Sequence, residues 1–391
     1  MKTNSDKALR ERYVAVLIHG GYLRDPAWIE AFHIVPRHVF TPRIYRPVSE
    51  GDYGRFVAVP PSDPGWLDAI YRDDVLITQI NGDDQLWQRA LTEPVTGEPT
   101  SSSSQPSLMA TMLEALDIRD GHRVVEIGTG TGYQAALLCH RLGAENVTTV
   151  EVDPGLAATA RQRLGDIGYA PRVVVGDGLA GDPAGAPYDR LIATCSVDRV
   201  PMAWCEQVRD GGIILASLHR PLGGGPLVRL TVEAGQASGR CLSGPGGFMP
   251  ARGHGTAPAA GPLLQTAMRT DPDHPPRTTS VPVEVFDDQH AGLVVALRLR
   301  DVVRVRFMPS DGGAEQDWLL AADGSWACRD VDTNEVTQRG RPLWDELERV
   351  WTQWMAAGCP PRERIGLTVT ATGEHQYWLG SADHVAWRDT R

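Results

Sequence analysis

The sequence lacks the long apolar runs and the repeated cysteine and histidine spacings that mark membrane proteins and metal-binding proteins. None of its 391 residues lies in a run close to the ~20 apolar residues of a membrane span. The start, MKTNSDKALRERYVAV, has no apolar signal-peptide core. The six cysteines have no Cys-x-x-Cys spacing and no histidine at a zinc-ligand interval. We therefore expect a cytoplasmic protein with no metal and no membrane partner.

Positive charge is also scarce. The chain has 38 Lys and Arg against 49 Asp and Glu, a net charge of -11 that repels a phosphate backbone at long range. We expect no nucleic-acid partner, although the net charge does not exclude a local basic patch. The length and an apolar share of 42% suit two domains or one domain with large additions.

The first hundred residues change character along the chain. Residues 6–40 read as two short helices, the second opened by Asp25 and Pro26. Residues 41–103 are rich in Pro, Gly and Asp, with one predicted strand at 74–80. An irregular segment of that length is typical of a functional cover, so we interpret 41–103 as an insertion over a site.

Short apolar segments alternate with helical ones from residue 122 to about 235. This alternation predicts a parallel sheet covered on both faces, a doubly wound α/β domain. The predicted strands are 123–127, 146–152, 172–176, 188–194, 212–218 and 226–233.

The C-terminal part reads as a separate unit. Residues 251–280 are dominated by Pro, Gly and polar residues, as in a linker or surface wrap. Beyond them, 293–307 is strand-like and 341–358 is a clear amphipathic helix. The final 74 residues contain seven of the eleven Trp, so we predict a second, α+β domain over 281–391.

The stretch VVEIGTGTGY combines an acid with three glycines at the end of the first strand. Glycines let the backbone approach a ligand closely, and a helix N-terminus offers free amides. The Gly-x-Gly-x-Gly spacing of Gly128, Gly130 and Gly132, with Glu126 before it, fits S-adenosylmethionine better than the Gly-x-Gly-x-x-Gly of nicotinamide sites. A merely tight structural turn is the alternative.

Two further acids follow the next strands. Glu151 ends the second strand, where a carboxylate accepts ribose hydroxyls, and Asp177 follows the third, near an adenine amino group. Either acid alone is more typical of a solvated strand end or a helix cap. Together with Glu126 they predict a nucleoside-cofactor site.

These motifs resemble, in order, those of the protein L-isoaspartate O-methyltransferases: VPRHVF (35–40), SQP (104–106), VVEIGTGTGYQAALL (124–138), GDG (176–178) and RDGGIIL (209–215). The resemblance covers about residues 6–235. It implies a class I S-adenosylmethionine methyltransferase domain over 1–250, with its cofactor-binding core at 104–235, which releases S-adenosylhomocysteine.

We expect site residues on a substrate side and a cofactor side. The resemblance places Ser104, as the catalytic residue, and Gln105 on the substrate side. Cys195 and Ser196 are added to that side because they follow the fourth strand, at the carboxyl edge where ligands bind. The cofactor side is expected to use Glu126, Gly128, Thr129, Gly130, Gly132, Tyr133, Glu151, Val152, Asp177 and Gly178.

The serine run PTSSSSQPSLMA has two interpretations. In the family the Ser before the Gln-Pro pair contacts the substrate carboxylate, and a hydroxyl with free amides before a helix suits an anion. The alternative is that Ser104 or Ser107 only caps the helix. We interpret Ser101 to Ser103 as a loop, and Cys195 as a wall residue rather than a nucleophile because no base is recognisable near it.

Three hypotheses for function follow. PTSSSSQPSLMA (99–110) and IATCSVDRVP (192–201) resemble the methyltransferases that accompany ATP-grasp ligases in ribosomal-peptide maturation (graspetides). That likeness implies esterification of an Asp in a cross-linked peptide, which leads to an aspartimide. Isoaspartyl repair is the second hypothesis, and a peptide-binding protein without catalysis is the third. The sequence names neither the peptide nor the oligomeric state.

Overall fold

The computed structural model describes residues 3–49, 54–223, 225–252, 259–308 and 314–389. Within these ranges three sheets are present: two of five strands and one of ten. No helix in the described residues is long and apolar enough to cross a membrane.

Three helices open the chain and cover one face of the central sheet: α1 (Thr3–His19), α2 (Pro26–Ile34) and α3 (Arg37–Phe40). Helix α2 begins as its sequence predicts, because the Asp25 carboxylate accepts the Ala27 amide at 2.8 Å and Pro26 follows it. Tyr13, Trp28 and Phe32 are buried in this layer.

The predicted insertion is more regular than its composition suggests. Its elements are β1 (Ile44–Pro47), β2 (Arg55–Val59), α4 (Trp66–Ile70), β3 (Leu76–Ile80), α5 (Leu86–Ala90), β4 (Val95–Thr96) and β5 (Pro99–Ser103). The strands form an antiparallel sheet in the order β4-β2-β1-β3-β5. A small core that includes Tyr45, Phe56 and Trp87 supports it. We call this unit the insertion sheet; its edge strand is the serine run.

The central sheet contains the predicted parallel strands and the helices that connect them. Its first elements are α6 (Pro106–Ala115), β6 (Val124–Ile127), α7 (Tyr133–Leu142), β7 (Val147–Glu151), α8 (Pro154–Asp166), β8 (Arg172–Val175), β9 (Tyr188–Val197), α9 (Met202–Gln207) and β10 (Val208–Leu218). The parallel strands run in the order β8-β7-β6-β9-β10. The order reverses direction between β6 and β9, which is where doubly wound sheets bind ligands. The doubly wound prediction is confirmed.

The central sheet continues with antiparallel strands. These are β11 (Pro226–Glu233) and β12 (Gln236–Pro245) and, from the end of the chain, β18 (Ile365–Val369), β19 (His375–Leu379) and β20 (Val385–Asp389). The division at 281–391 is therefore wrong for its last part. Leu367 and Tyr377 pack in the core of the central sheet rather than in a separate domain.

The segment between β12 and β18 forms a lobe with its own core. Its elements are α10 (Ala260–Ala267), β13 (Arg277–Thr278), α11 (Ala291–Arg298), β14 (Val302–Phe307), β15 (Gln316–Ala321), β16 (Trp326–Asp330), β17 (Glu335–Arg339) and α12 (Leu343–Ala356). Two sequence interpretations are wrong here. The 251–280 stretch contributes α10 and β13 instead of only linking domains, although 253–258 lies outside the described residues. The first half of 293–307 belongs to a helix, because Asp288 accepts the amides of His290 and Ala291 and starts a helical turn.

Candidate active site

A single cavity of about 870 Å³ lies at the carboxyl edge of the parallel strands. The insertion sheet forms one wall, and the segment Gly247–Arg252, which we call the strap, forms another. The volume is near the upper end of the ~300–1,000 Å³ usual for small-molecule sites. The predicted residues that line it are Ser104, Gln105, Glu126, Gly128, Thr129, Gly130, Tyr133, Glu151, Val152, Asp177, Gly178 and Cys195.

The glycine turn brings its backbone against both sheets. Gly130 has a φ of +52°, and a Cβ atom built on it would lie 3.5 Å from the Ser102 carbonyl oxygen. Gly132 has a φ of +88°, but a Cβ there would lie 3.2 Å from Ala160 on α8. Gly132 thus permits close packing against α8 and does not line the cavity, so its assignment to the cofactor stays a prediction.

Glu126 is a buried carboxyl with one unoccupied acceptor. The Thr149 hydroxyl donates to its Oε2 at 2.7 Å, while Oε1 has no hydrogen-bond partner among the described residues. Burial raises the pKa of Glu126 to about 8. A buried acceptor beside a cradle of glycine backbone fits the amino group of a bound amino-acid moiety such as the methionine part of S-adenosylmethionine.

Glu151 and Asp177 follow the neighbouring strands, as the sequence predicts. Glu151 is buried and accepts the amides of Gly130 at 2.8 Å and Asp153 at 3.1 Å, so it ties the glycine turn to β7. Asp177 accepts the Leu179 amide at 2.9 Å and starts a short 3₁₀ turn. Both also line the cavity, so the ribose and adenine assignments stay predictions that the geometry permits.

The serine run is a strand, and the loop interpretation is wrong. β5 pairs antiparallel with β3, with Ser103 opposite Leu76 and Ser102 opposite Ile77. The alternation of a strand buries Ser101 and Ser103 and leaves Ser102 and Ser104 half-buried. Within the described chain the Ser104 hydroxyl has no hydrogen-bond partner, so it is available to a ligand in the cavity.

Asp73, which the sequence analysis missed, holds the start of α6. Its carboxylate accepts the Ser107 amide at 2.7 Å and the Gln105 side-chain amide at 3.3 Å. Gln105 occupies the N-cap position without a side-chain cap of its own. The alternative that Ser104 or Ser107 caps this helix is therefore wrong, and the Ser107 amide is not free for a ligand.

Cys195 and Ser196, adjacent in β9, differ in role. Cys195 lines the cavity, and burial raises the pKa of its thiol to about 12, so the thiol stays protonated and fits a wall residue. Ser196 does not line the cavity, because its hydroxyl donates to the Phe248 carbonyl at 2.9 Å. Ser196 therefore anchors the strap, and its assignment to the substrate stays a prediction.

The strap closes the cavity through Arg252. The guanidinium donates to the Asp153 carboxylate at 3.0 Å, to the Thr100 carbonyl at 2.9 Å and to the Gln79 side chain at 3.3 Å. One side chain thus connects the strap, the start of α8 and the insertion sheet. Arg252 lies far along the chain from the other site residues, so no local sequence motif indicates its role.

Comparisons with known proteins agree with this geometry. The family described as "Protein-L-isoaspartate(D-aspartate) O-methyltransferase (PCMT)" matches residues 86–228. The protein-L-isoaspartate O-methyltransferase of Methanopyrus kandleri is 35% identical over 206 residues, 52% of this chain and 74% of that enzyme. That of Ignicoccus hospitalis is 43% identical over 122 residues, 31% of this chain but only 58% of that enzyme.

A solved structure of the same description extends the likeness in fold. It has a TM-score of 0.53 at 24% identity and covers 95% of this chain and 100% of its own. Because so little of this chain falls outside that match, the C-terminal lobe is part of an architecture that another protein of that description also has.

Proposed function

We propose that this chain esterifies an Asp side chain in a ribosomally made peptide already cross-linked by an ATP-grasp ligase. The chain belongs to the protein-L-isoaspartate O-methyltransferase family, whose S-adenosylmethionine-dependent carboxyl O-methyl transfer is the chemistry of the proposal. The partner is then the modified precursor peptide. The ester carbonyl is attacked by the next backbone amide nitrogen, which forms a succinimide and releases methanol.

Methyl transfer to a carboxylate requires little acid–base chemistry. An Asp side chain with an ordinary pKa of about 3.9 is an anion at pH 7. Bound S-adenosylmethionine would supply the methyl group, which one carboxylate oxygen would accept as the methyl–sulfur bond breaks, with no proton transfer. This chain's own contribution is alignment and exclusion of water by the insertion sheet and the strap. The protonated Cys195 thiol is consistent with a site that needs no base.

The observation that carries the proposal is the position of the insertion sheet. Its edge strand leads directly to Ser104, and several of its residues line the same cavity as that serine. The residues of this unit that line the cavity include Tyr45, Val59, Gly65, Arg72 and Val75. A multicyclic peptide is larger and stiffer than an unfolded segment, so its recognition needs a shaped surface of this kind.

Isoaspartyl repair is the second candidate. The family description and the named relatives favour it. The two candidates share cofactor, reaction and Ser104. They differ in whether the accepting carboxylate belongs to a cross-linked peptide or to an isoaspartyl residue.

Mass spectrometry with three substrates separates the candidates. The enzyme and S-adenosylmethionine are incubated with the cross-linked peptide, its linear precursor and an isoaspartyl peptide. We expect a gain of one methyl on the cross-linked peptide, followed by loss of methanol, and little gain on the linear form. A gain confined to the isoaspartyl peptide would establish repair instead. Equal turnover of linear and cross-linked peptide would contradict recognition by shape.

A further inference from the structure

Arg37 is a fully buried arginine behind the serine strand. It belongs to the VPRHVF motif, to which the proposed chemistry gives no role, and it does not line the cavity. Burial of a guanidinium is costly unless every donor is bonded. The hydrogen-bond partners of Arg37 therefore show which segments of the chain it holds in place.

The guanidinium joins three segments that are distant in sequence. From α3 it reaches the end of α4 with the following loop, and the end of β5. Its acceptors are the carbonyls of Ile70 (2.9 Å), Arg72 (3.1 Å), Asp74 (3.0 Å), Ser104 (3.0 Å) and Ser103 (3.4 Å) and the Ser103 hydroxyl (3.3 Å). No carboxylate in the described chain is bonded to it, and five of its six contacts are to backbone carbonyls.

The loop that Arg37 holds also fixes the helix after the serine strand. Asp73 in this loop binds the Ser107 amide and the Gln105 side chain. Ser104 therefore lies between two attachments to the same loop, one through its own carbonyl and one at the start of α6. Its hydroxyl is the group left without a partner.

We propose that Arg37 is a positioning residue for methyl transfer, which fixes Ser104 so that its hydroxyl meets the substrate carboxylate and links that placement to the insertion sheet. The inference rests on the proposed function only in placing a carboxylate at Ser104. A lysine cannot replace the planar fork, because its ammonium has three donors on a flexible stem and Arg37 has six contacts to make.

The test compares Arg37→Lys with Arg190→Lys. Arg190 is a matched control: it is 5% exposed and donates to the carbonyls of Leu116, Asp117 and Asp189 at the edge of the sheet opposite the cavity. For R37K we expect kcat/KM with the accepted peptide to fall about tenfold or more, because small misplacements of a positioning group are costly. S-adenosylhomocysteine affinity should be unchanged. R190K should lower the melting temperature without changing kcat/KM.

Hydrogen exchange gives a readout that does not depend on turnover. In R37K with S-adenosylhomocysteine bound, the amides of residues 101–107 should exchange at least about threefold faster than in the wild type, since local opening is easier. R190K should leave these amides unchanged. Equal exchange in R37K and wild type would overturn the positioning role, whatever happens to activity.

A milder variant tests the same proposal in case Arg37→Lys does not fold. Ser103→Ala removes only the hydroxyl that accepts from Arg37 Nε, so it should change exchange and kcat/KM in the same direction as R37K but less. If R37K melts below assay temperature and S103A behaves as wild type in both readouts, the proposal fails. If the wild type methylates none of the three peptides, the proposed function fails while the exchange comparison still decides the role of Arg37.

Discussion

The two sheets that line the cavity maintain their site residues by different means. In the central sheet, Glu126 and Glu151 stand at the ends of parallel strands, and the glycine turn is held by Glu151 and by its own backbone. In the insertion sheet, Ser104 owes its place to side chains from elsewhere, chiefly Arg37 and Asp73.

This difference assigns cofactor binding to the central sheet and substrate selection to the insertion sheet. Strand ends and a glycine turn form a site wherever the doubly wound fold forms, because the geometry follows from strand order. An edge strand held by long-range hydrogen bonds can be moved or replaced without disturbing that site. Variants on the two sides should therefore fail in different assays, and the following predictions test this.

The largest effect is expected from Gly130→Val, which should abolish S-adenosylhomocysteine binding by calorimetry. A side chain at φ +52° is strained, and it would enter the space between the turn and Ser102. Glu151→Ala should weaken binding strongly through loss of the turn contact and the expected ribose acceptor. Gly168→Val is the control: its φ is +87° but no atom lies within 4 Å of an added Cβ. Unchanged affinity in G130V and E151A would refute the cofactor assignment.

Ser104→Ala should lower methyl transfer by about 10- to 100-fold, the usual range for a lost hydrogen bond to a charged group, with cofactor affinity unchanged. Ser102→Ala, on the same face of the strand, should be silent within about twofold. Initial rates and calorimetry measure both. If the two variants behave alike, Ser104 has no special contact with the substrate.

The Glu126 carboxyl should make cofactor affinity depend on pH. In the free enzyme its pKa is about 8, so it is neutral at pH 6 and must lose a proton to pair with an ammonium. S-adenosylhomocysteine affinity should therefore rise about fiftyfold from pH 6 to pH 8 and level off above about pH 9. Glu126→Gln should remove the rise. An equal pH dependence in both proteins would contradict the assigned contact.

The smallest effect is expected from Arg252→Ala. Its ion pair with Asp153 is partly exposed, so loss of the strap attachment should weaken both cofactor affinity and methyl transfer by only about threefold. Arg306→Ala removes an ion pair with Glu315 in the C-terminal lobe and should change neither. A loss confined to one of the two assays would show that the strap serves one side of the cavity only.

The sequence allowed prediction of much of the central sheet. Strand β11 has the predicted bounds, since local periodicity and turn residues dictate them. Prediction from the sequence failed where tertiary contacts determine the secondary structure. The Pro- and Gly-rich insertion folds into a sheet, Ser101 to Ser103 lie in a strand because β3 pairs with them, and β18 joins β12 across more than a hundred residues.

The site divides in the same way. The positions of Glu126, Gly130, Glu151 and Asp177 at the cavity could be predicted from sequence alone. Each lies at or just after the carboxyl end of a strand, and strand order brings these ends together. The roles of Gly132 and Ser196 depended on neighbours, α8 for one and the strap for the other. Arg37, Asp73 and Arg252 act through hydrogen bonds to residues far along the chain. A local sequence pattern does not indicate which distant groups a side chain will contact, so these three roles could not be predicted.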